Sequence, residues 1–260
     1  MGESLEILPV PAVRSVGQSP AGKTGLVFVW AHGWGQDGRA FDGIVTSLAS
    51  VGSHLILDLP GFGRADAPPS NWGTADYADA AAKVIEPLRG QGKVVWVGHS
   101  FGGRVGIQFS ARHPNSLDAL ILVASAGLPR KRSPIEFARY TSKVYTYKTL
   151  KYIAPYLGID PNSLRQYFGS ADYKSAGAMR SILLNVVRED LTDVAAKVAC
   201  PTLLIYGEKD RDTPPEIGER LSALIKTSDL KILPDQDHYS LLGAGRHVVS
   251  KKILEFVSKL

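Results

Sequence analysis

The chain has 260 residues, of which 44% are hydrophobic and 21% are charged, a composition typical of a globular domain that buries a sizeable core. Its formal net charge of +5 is too small to indicate nucleic-acid binding unless the positive charges form a localised stripe. The single cysteine, Cys200, excludes an internal disulfide, a cysteine-based metal site and a Cys-x-x-Cys redox pair.

The N-terminal segment lacks the cationic start and the continuous apolar run of a secretory signal. No other stretch approaches the roughly 18 apolar residues that a membrane-spanning helix needs. We therefore expect a cytoplasmic protein.

Short apolar runs alternate with longer stretches of helical spacing, which is typical of β-α-β units around a mostly parallel sheet. Near-continuous apolar runs predict buried parallel strands at 26–31, 54–58, 93–98, 117–124, 201–207 and 229–233. Helical spacing predicts helices at 39–51, 74–89, 101–112, 215–226 and 246–259.

The alternation stops between about residues 128 and 190, where aromatic and basic helical patterns replace strands. This insertion follows the fourth of the six apolar runs, so it starts at the carboxyl edge of the sheet, where α/β proteins build their sites. We expect residues 1–127 and 191–260 to form an α/β core, and residues 128–190 to form a helical cap, or lid.

A serine in a glycine-rich turn follows the third apolar run, in the sequence Gly98-His99-Ser100-Phe101-Gly102. A strand, a sharp turn and a helix in this order hold the serine oxygen above the sheet in a strained backbone conformation. The motif alone is weak, but its predicted context favours a nucleophile over an ordinary glycine turn.

A serine hydroxyl needs a base, and the base needs a partner that fixes its tautomer. Of the six histidines, His238 lies in a polar loop after the last apolar run and is the predicted base; a loop histidine without a catalytic role is the alternative. The loop after the preceding run supplies Asp210 as the predicted partner, with Asp212 as the second candidate and Glu208 as the third.

The oxyanion that forms when a serine attacks a carbonyl needs preorganised donors, usually two backbone N–H groups. Phe101 directly follows the serine and would supply the first donor. The second would come from Trp34, because His32-Gly33-Trp34-Gly35 (HGWG) follows the first apolar run. An ordinary glycine turn is the alternative interpretation of HGWG.

Five segments in chain order, HGWG, DLPGFGRA at 58–65, GHSFGG at 98–103, GEKD at 207–210 and DH at 237–238, resemble the α/β-hydrolase fold family. The resemblance spans nearly the whole chain and implies a mostly parallel eight-stranded sheet flanked by helices, with a helical cap after the sixth strand. Two further strands would then lie within residues 3–17, in LEILPV and AVRSVG. Ala65 and Asp237 depart from residues common in the family, and a serine nucleophile disfavours the branches that attack through a carboxylate.

The first part of the cap is strongly basic, with seven Lys or Arg residues against one acid, Glu136, in residues 128–151. Phe137, Tyr140, Val144 and Tyr147 follow helical spacing there, and we expect them to face the cleft or the core. The basic residues are Arg130, Lys131, Arg132, Arg139, Lys143, Lys148 and Lys151.

A solvated basic face is the simpler interpretation of this charge. The alternative is an anionic partner: an acyl carrier protein, the phosphates of a CoA ester, or anionic lipid headgroups. The HGWG, DLPGFGR and GHSFGG segments are similar to those of pimeloyl-acyl-carrier-protein methyl ester carboxylesterases, which favours the carrier. No recognition motif predicts nucleic acid as a partner.

The predicted function is hydrolysis of carboxylic esters through a Ser100–His238–Asp210 triad and an acyl-enzyme, with the N–H groups of Trp34 and Phe101 holding the oxyanion. The substrate would be a small-molecule ester or acyl compound, and no metal or organic cofactor is expected. A thioesterase or a C–C bond hydrolase would use the same triad. A non-catalytic ligand receptor on the same fold is the alternative of another class.

Overall fold

The computed structural model describes residues 9–16, 25–131, 133–160, 164, 167 and 171–260. In these residues the strands are β1 (Ala12–Val16), β2 (Leu26–Ala31), β3 (Gly52–Asp58), β4 (Lys93–His99), β5 (Ala119–Val123), β6 (Thr202–Gly207) and β7 (Ser228–Leu233). They form one seven-stranded sheet in the order β1-β3-β2-β4-β5-β6-β7. Only the pairing of β1 with β3 is antiparallel among these strands.

Helices connect the strands and cover both faces of the sheet. The described α-helices are α1 (Asp42–Leu48), α2 (Thr74–Ile85), α3 (Phe101–Arg112), α4 (Pro134–Ile153), α5 (Ala171–Ser175), α6 (Arg180–Arg188), α7 (Thr192–Ala195), α8 (Pro215–Leu224) and α9 (Arg246–Val257). Strands β5 and β6 are buried along their whole length, because helices cover both of their faces. The parallel sheet and the five predicted connecting helices are confirmed.

Two apolar clusters form the core, one on each side of the sheet. Along β2, Phe28 and Trp30 belong to the cluster under α1 and α9, while Val29 and Ala31 belong to the cluster under α2, α3 and α8. This alternation follows from the two-residue period of a strand. The sheet is therefore anchored on both faces, so its carboxyl edge is a rigid base for the loops that leave it.

The described residues form seven strands, against the predicted eight. AVRSVG contains β1 as expected, but this strand lies at the sheet edge and only alternate residues are partly buried. The other candidate, LEILPV, falls mostly outside the described residues, and its last two residues, Pro9 and Val10, are not part of a strand. The inserted segment thus follows the fifth strand of those described.

The C-terminal end of the inserted segment is bound to the core. Ile182, Leu183 and Val186 of α6 are buried, and the Glu189 carboxylate accepts hydrogen bonds from the N–H, at 2.8 Å, and the hydroxyl of Thr74, the first residue of α2. The buried Arg104 guanidinium donates to the Glu189 carbonyl at 3.2 Å. A residue of the insert thus caps the helix N-terminus of α2.

Helix α4 is packed differently, since none of its residues is buried. Phe137 and Tyr140 are 59% and 49% exposed, so they do not pack into the core; that they face the cleft stays a prediction. Val144 and Tyr147 are half-buried. Helical spacing of apolar residues identified a helix here but not its packing partner. Among the described helices, none is long and apolar enough to cross a bilayer.

Candidate active site

Ser100 lies in the turn between β4 and α3, with φ 50° and ψ −105°, a conformation that is strained for a residue with a side chain. The turn needs glycines on both sides of Ser100, because neighbouring backbone atoms leave no room for a Cβ there. A Cβ on Gly102 would lie 1.9 Å from the Ala31 carbonyl oxygen, and one on Gly98 would lie 2.4 Å from the Gly102 oxygen. The turn therefore presents Ser100 at the carboxyl edge of the sheet, on a backbone that tolerates no bulkier neighbour.

His238 and Asp210 come together at the same edge, on the loops that follow β7 and β6. The Asp210 Oδ2 lies 2.8 Å from His238 Nδ1, and the two side chains are 0% and 8% exposed. Asp212, the second candidate, is exposed and donates its backbone N–H to the Asp210 carboxylate at 2.8 Å. Glu208, the third candidate, accepts from the N–H of Asp235 instead.

Four groups surround the Asp210 carboxylate. Oδ1 accepts the N–H of Asp212 and of Thr213, each at 2.8 Å; Oδ2 faces the Thr213 hydroxyl at 2.9 Å as well as His238. Burial alone would raise the pKa of Asp210, but the hydrogen bond from His238 and those from Thr213 outweigh it, so the pKa lies below its ordinary value. The group is a carboxylate at neutral pH.

The charge of Asp210 decides which nitrogen of His238 carries the proton. A carboxylate can only accept hydrogen bonds, so Nδ1 must be the donor in the 2.8 Å contact. The neutral imidazole therefore leaves Nε2 without a proton. This is the tautomer that a general base needs.

The HGWG loop packs directly against the serine turn. The N–H of Gly102 donates to the His32 carbonyl at 3.0 Å, and the rings of Trp34 and Phe101 meet edge to face at 5.3 Å. In the part of the chain that the structure describes, no protein oxygen accepts the N–H of Trp34 or Phe101. The absence of a protein acceptor for these two amides is what an oxyanion hole would require; that they hold the oxyanion stays a prediction.

Three polar residues at the site were not identified from the sequence. Thr213 contacts both Asp210 and His238. Gln36 Oε1 accepts the Gly33 N–H at 2.9 Å and lies 3.2 Å from His99 Nδ1, while His99 Nε2 lies 3.0 Å from the His238 carbonyl oxygen. Gln36 and His99 thus connect the HGWG loop to the His238 loop; no sequence motif marks either contact.

Asp210, Asp212 and His238 each place one potential ligand atom within 4.8 Å of the others. The proton that His238 shares with Asp210 occupies this cluster, and a cation between the two residues would have to displace it. We assign no metal to the cluster. That the protein needs neither metal nor cofactor stays a prediction.

Buried histidines make the stability of this protein depend on pH. Burial lowers the pKa of His32 and of His54, and burial together with the nearby His238 lowers that of His99 to about 3. His54 Nδ1 accepts from the Trp30 indole at 3.1 Å and its Nε2 faces the Leu48 carbonyl at 3.0 Å, so the neutral ring satisfies both contacts. The pKa of each of these three rings is therefore lower in the folded state than in the unfolded chain.

Since these pKa values are lowered by folding, the unfolded chain binds more protons below pH 6.5, and stability falls as the pH falls. We expect the free energy of unfolding to drop between pH 7.5 and 5.5 by about 1.4 kcal/mol for each histidine that stays neutral, or about 4 kcal/mol at most. Urea titrations at the two pH values measure it. The drop should be smaller in His54→Phe, because burial lowers the pKa of His54; equal stability of the unmodified protein at both pH values would contradict this expectation.

Several proteins that are named as lipases or esterases resemble this chain. Lipase 3 of Moraxella sp. (strain TA144) is 28% identical over 242 residues, covering 85% of this chain and 74% of the relative. A pimeloyl-[acyl-carrier protein] methyl ester esterase of Klebsiella pneumoniae (strain 342) is 28% identical over 219 residues, covering 77% and 82%. The structure of a thermophilic esterase from Thermogutta terrifontis superposes with a TM-score of 0.69 at 23% identity, covering 96% and 93% of the two chains; this likeness concerns the fold.

A family profile described as "Alpha/beta hydrolase family" matches residues 26–250. The matched range begins at β2 and includes the HGWG loop, the serine turn, and the loops that hold Asp210 and His238. The match covers most of the chain, and the sheet order and parallel pairing are compatible with it. The chain therefore belongs to the alpha/beta hydrolase family.

Proposed function

We propose that this protein is a serine hydrolase that cleaves carboxylic esters, with Ser100 as nucleophile, His238 as general base and then acid, and Asp210 as the partner of the imidazole. The observation that supports it most is the buried 2.8 Å contact between His238 and Asp210 at the sheet edge where Ser100 is held in a strained turn. The names of two relatives, a lipase and a methyl ester esterase, also support ester cleavage.

In the proposed reaction, His238 Nε2 removes the hydroxyl proton of Ser100 as its oxygen attacks the ester carbonyl. The N–H groups of Trp34 and Phe101 receive the oxyanion. When the tetrahedral intermediate collapses, the imidazolium gives the proton to the departing alcohol, and an acyl-enzyme remains on Ser100. Water then attacks the acyl group with the same acid–base assistance, which releases the carboxylic acid and restores the serine.

The acyl group would lie against aromatic side chains. Trp34 and Phe62 are half-buried, and their rings meet edge to face at 4.9 Å between centroids. Because these two rings lie beside the N–H groups that we assign to the oxyanion, an apolar acyl chain suits the site better than a charged one. In this proposal residues 128–190 are the cap that completes the substrate pocket, and residues 1–127 and 191–260 are the catalytic core.

The basic part of the cap would serve an anionic acyl carrier. Lys143, Lys148 and Lys151 of α4 are exposed, so their charges are available to a partner. Arg130 is less available, since it donates to the Arg211 carbonyl at 2.9 Å and pairs with Glu136 at 3.6 Å. The relative that is named for an acyl-carrier-protein ester supports this assignment. The ester substrate would then be attached to an acyl carrier protein.

A substrate panel tests both parts of the proposal. We expect turnover of p-nitrophenyl esters from acetyl to palmitoyl, with faster turnover than for matched acyl-thioesters, and a fluorophosphonate adduct on Ser100. Binding of esters with neither turnover nor adduct would instead identify a ligand receptor, and preference for thioesters or a vinylogous diketone would identify the other hydrolase classes.

A second experiment tests the carrier. Turnover of an ester attached to an acyl carrier protein should fall in high salt and in the double variant Lys143→Glu/Lys148→Glu. It should not fall in Lys226→Glu, which lies outside the cap. Turnover that is unchanged by high salt and equal in both variants would refute the carrier.

A further inference from the structure

The Thr213 side chain is buried at 4% exposure between the two residues assigned to acid–base chemistry. Its hydroxyl oxygen lies 2.9 Å from Asp210 Oδ2, 3.1 Å from His238 Nδ1 and 2.9 Å from the carbonyl oxygen of Ala124. Ala124 follows β5 and has a positive φ of 45°. One hydroxyl therefore links the carboxylate, the imidazole and the end of a central strand.

We propose that Thr213 is a positioning residue for His238 and Asp210, and that its hydroxyl acts as a rotating hydrogen-bond partner during the reaction. The proposal rests on the proposed function. Ester hydrolysis through the triad alone assigns no role to the Thr213 side chain.

Thr213 fixes the carboxylate through two donors. Its N–H donates to Oδ1 at 2.8 Å, and its hydroxyl is placed to donate to Oδ2. With the N–H of Asp212 on Oδ1 and His238 on Oδ2, each carboxylate oxygen has two partners, which leaves the group no freedom to rotate about its terminal bond. The carboxylate is thus preorganised for the imidazole.

The hydroxyl has one proton and two oxygens that can accept it. While His238 is neutral, donation to the charged Asp210 Oδ2 is the stronger bond. When His238 takes the proton of Ser100 and becomes an imidazolium, its Nδ1–H needs more acceptor capacity. Rotation of the Thr213 proton to the Ala124 carbonyl then frees a lone pair on Oδ2 and turns the hydroxyl oxygen toward Nδ1. No covalent bond changes, and the proton stays on Thr213.

Three variants test this in the full-length enzyme. Thr213→Val keeps the shape of the side chain but removes the hydroxyl, and Thr213→Ser restores the hydroxyl. The matched control is Thr202→Val, which removes another fully buried threonine hydroxyl that donates to the Cys200 carbonyl at 3.0 Å, at the opposite end of β6. We expect Thr213→Val to lower kcat for a p-nitrophenyl ester about 10 to 100-fold with KM changed less than about twofold, and Thr213→Ser and Thr202→Val to stay within about threefold of the unmodified enzyme.

A spectroscopic readout separates positioning from stability. With nitrogen-15 histidine, NMR should report the Nδ1–H tautomer of His238 in all of these proteins, because Asp210 stays charged, but the Nδ1 proton should exchange with water faster in Thr213→Val than in the unmodified enzyme or in Thr213→Ser. An unchanged kcat in Thr213→Val, or equal losses in Thr213→Val and Thr213→Ser, would overturn the proposal. If the unmodified enzyme hydrolyses no ester and Ser100 takes no label, the proposed function fails, and the exchange rate of the His238 Nδ1 proton still decides whether Thr213 orients His238.

Discussion

Replacing Ser100 by alanine is expected to lower ester hydrolysis by on the order of 10⁴ to 10⁶-fold and to abolish labelling by a fluorophosphonate. The variant lacks the only oxygen that can form the acyl-enzyme in the proposed reaction. Its backbone can keep the strained turn, because the strain lies in φ and ψ, and alanine differs from serine by a single hydroxyl. The melting temperature should therefore stay within a few degrees of the unmodified protein's, so a loss of activity would report chemistry and not unfolding.

Ser125 provides a matched control for this experiment. It is fully buried, and a Cβ on Gly103, three residues after Ser100, would lie 2.3 Å from its Oγ. Its hydroxyl donates to the Ala126 carbonyl at 2.8 Å, so it is a second serine next to the same turn. Ser125→Ala should keep activity within about tenfold and should still be labelled at Ser100. Activity above a tenth of normal in Ser100→Ala, or a label on Ser125, would end the assignment.

The central fold could be predicted because its sequence signals are local. Strands such as β5 and β6 are buried on both faces, so they read as continuous apolar runs. The edge strand β1 is only partly buried, and its five residues were expected only through the resemblance to a family. The serine turn was predictable for the same reason as the strands, since Gly98 and Gly102 flank Ser100 within five residues.

Contacts between distant parts of the chain could not be predicted. Glu189 caps α2 through Thr74, 115 residues earlier, and Gln36 reaches His99 across 63 residues; neither pair has a spacing that a sequence pattern records. Thr213 is near Asp210 in the chain, yet its role depends on His238 and Ala124 as well. Hydrophobic periodicity predicts which apolar residues are buried. It does not identify polar residues whose role depends on tertiary contacts.

Replacing Asp210 by asparagine should lower kcat by on the order of 10⁴-fold, with KM changed little. The two backbone N–H groups of Asp212 and Thr213 require an oxygen at the Oδ1 position. The asparagine must therefore keep its oxygen there and turn its NH₂ group toward His238. An NH₂ group donates to Nδ1, so the neutral imidazole would carry its proton on Nε2, the nitrogen that must be free to accept the Ser100 proton.

Asp212→Asn is the matched control, because Asp212 was the second candidate in the sequence and contributes its backbone N–H, not its side chain, to the Asp210 carboxylate. This variant should stay within about threefold of normal activity. The rate of fluorophosphonate labelling should fall in Asp210→Asn along with kcat, since both reactions need the base. If Asp212→Asn costs more activity than Asp210→Asn, the carboxylate that serves His238 in solution is Asp212. If neither variant loses more than tenfold, His238 has no carboxylate partner in catalysis and the proposed triad is wrong.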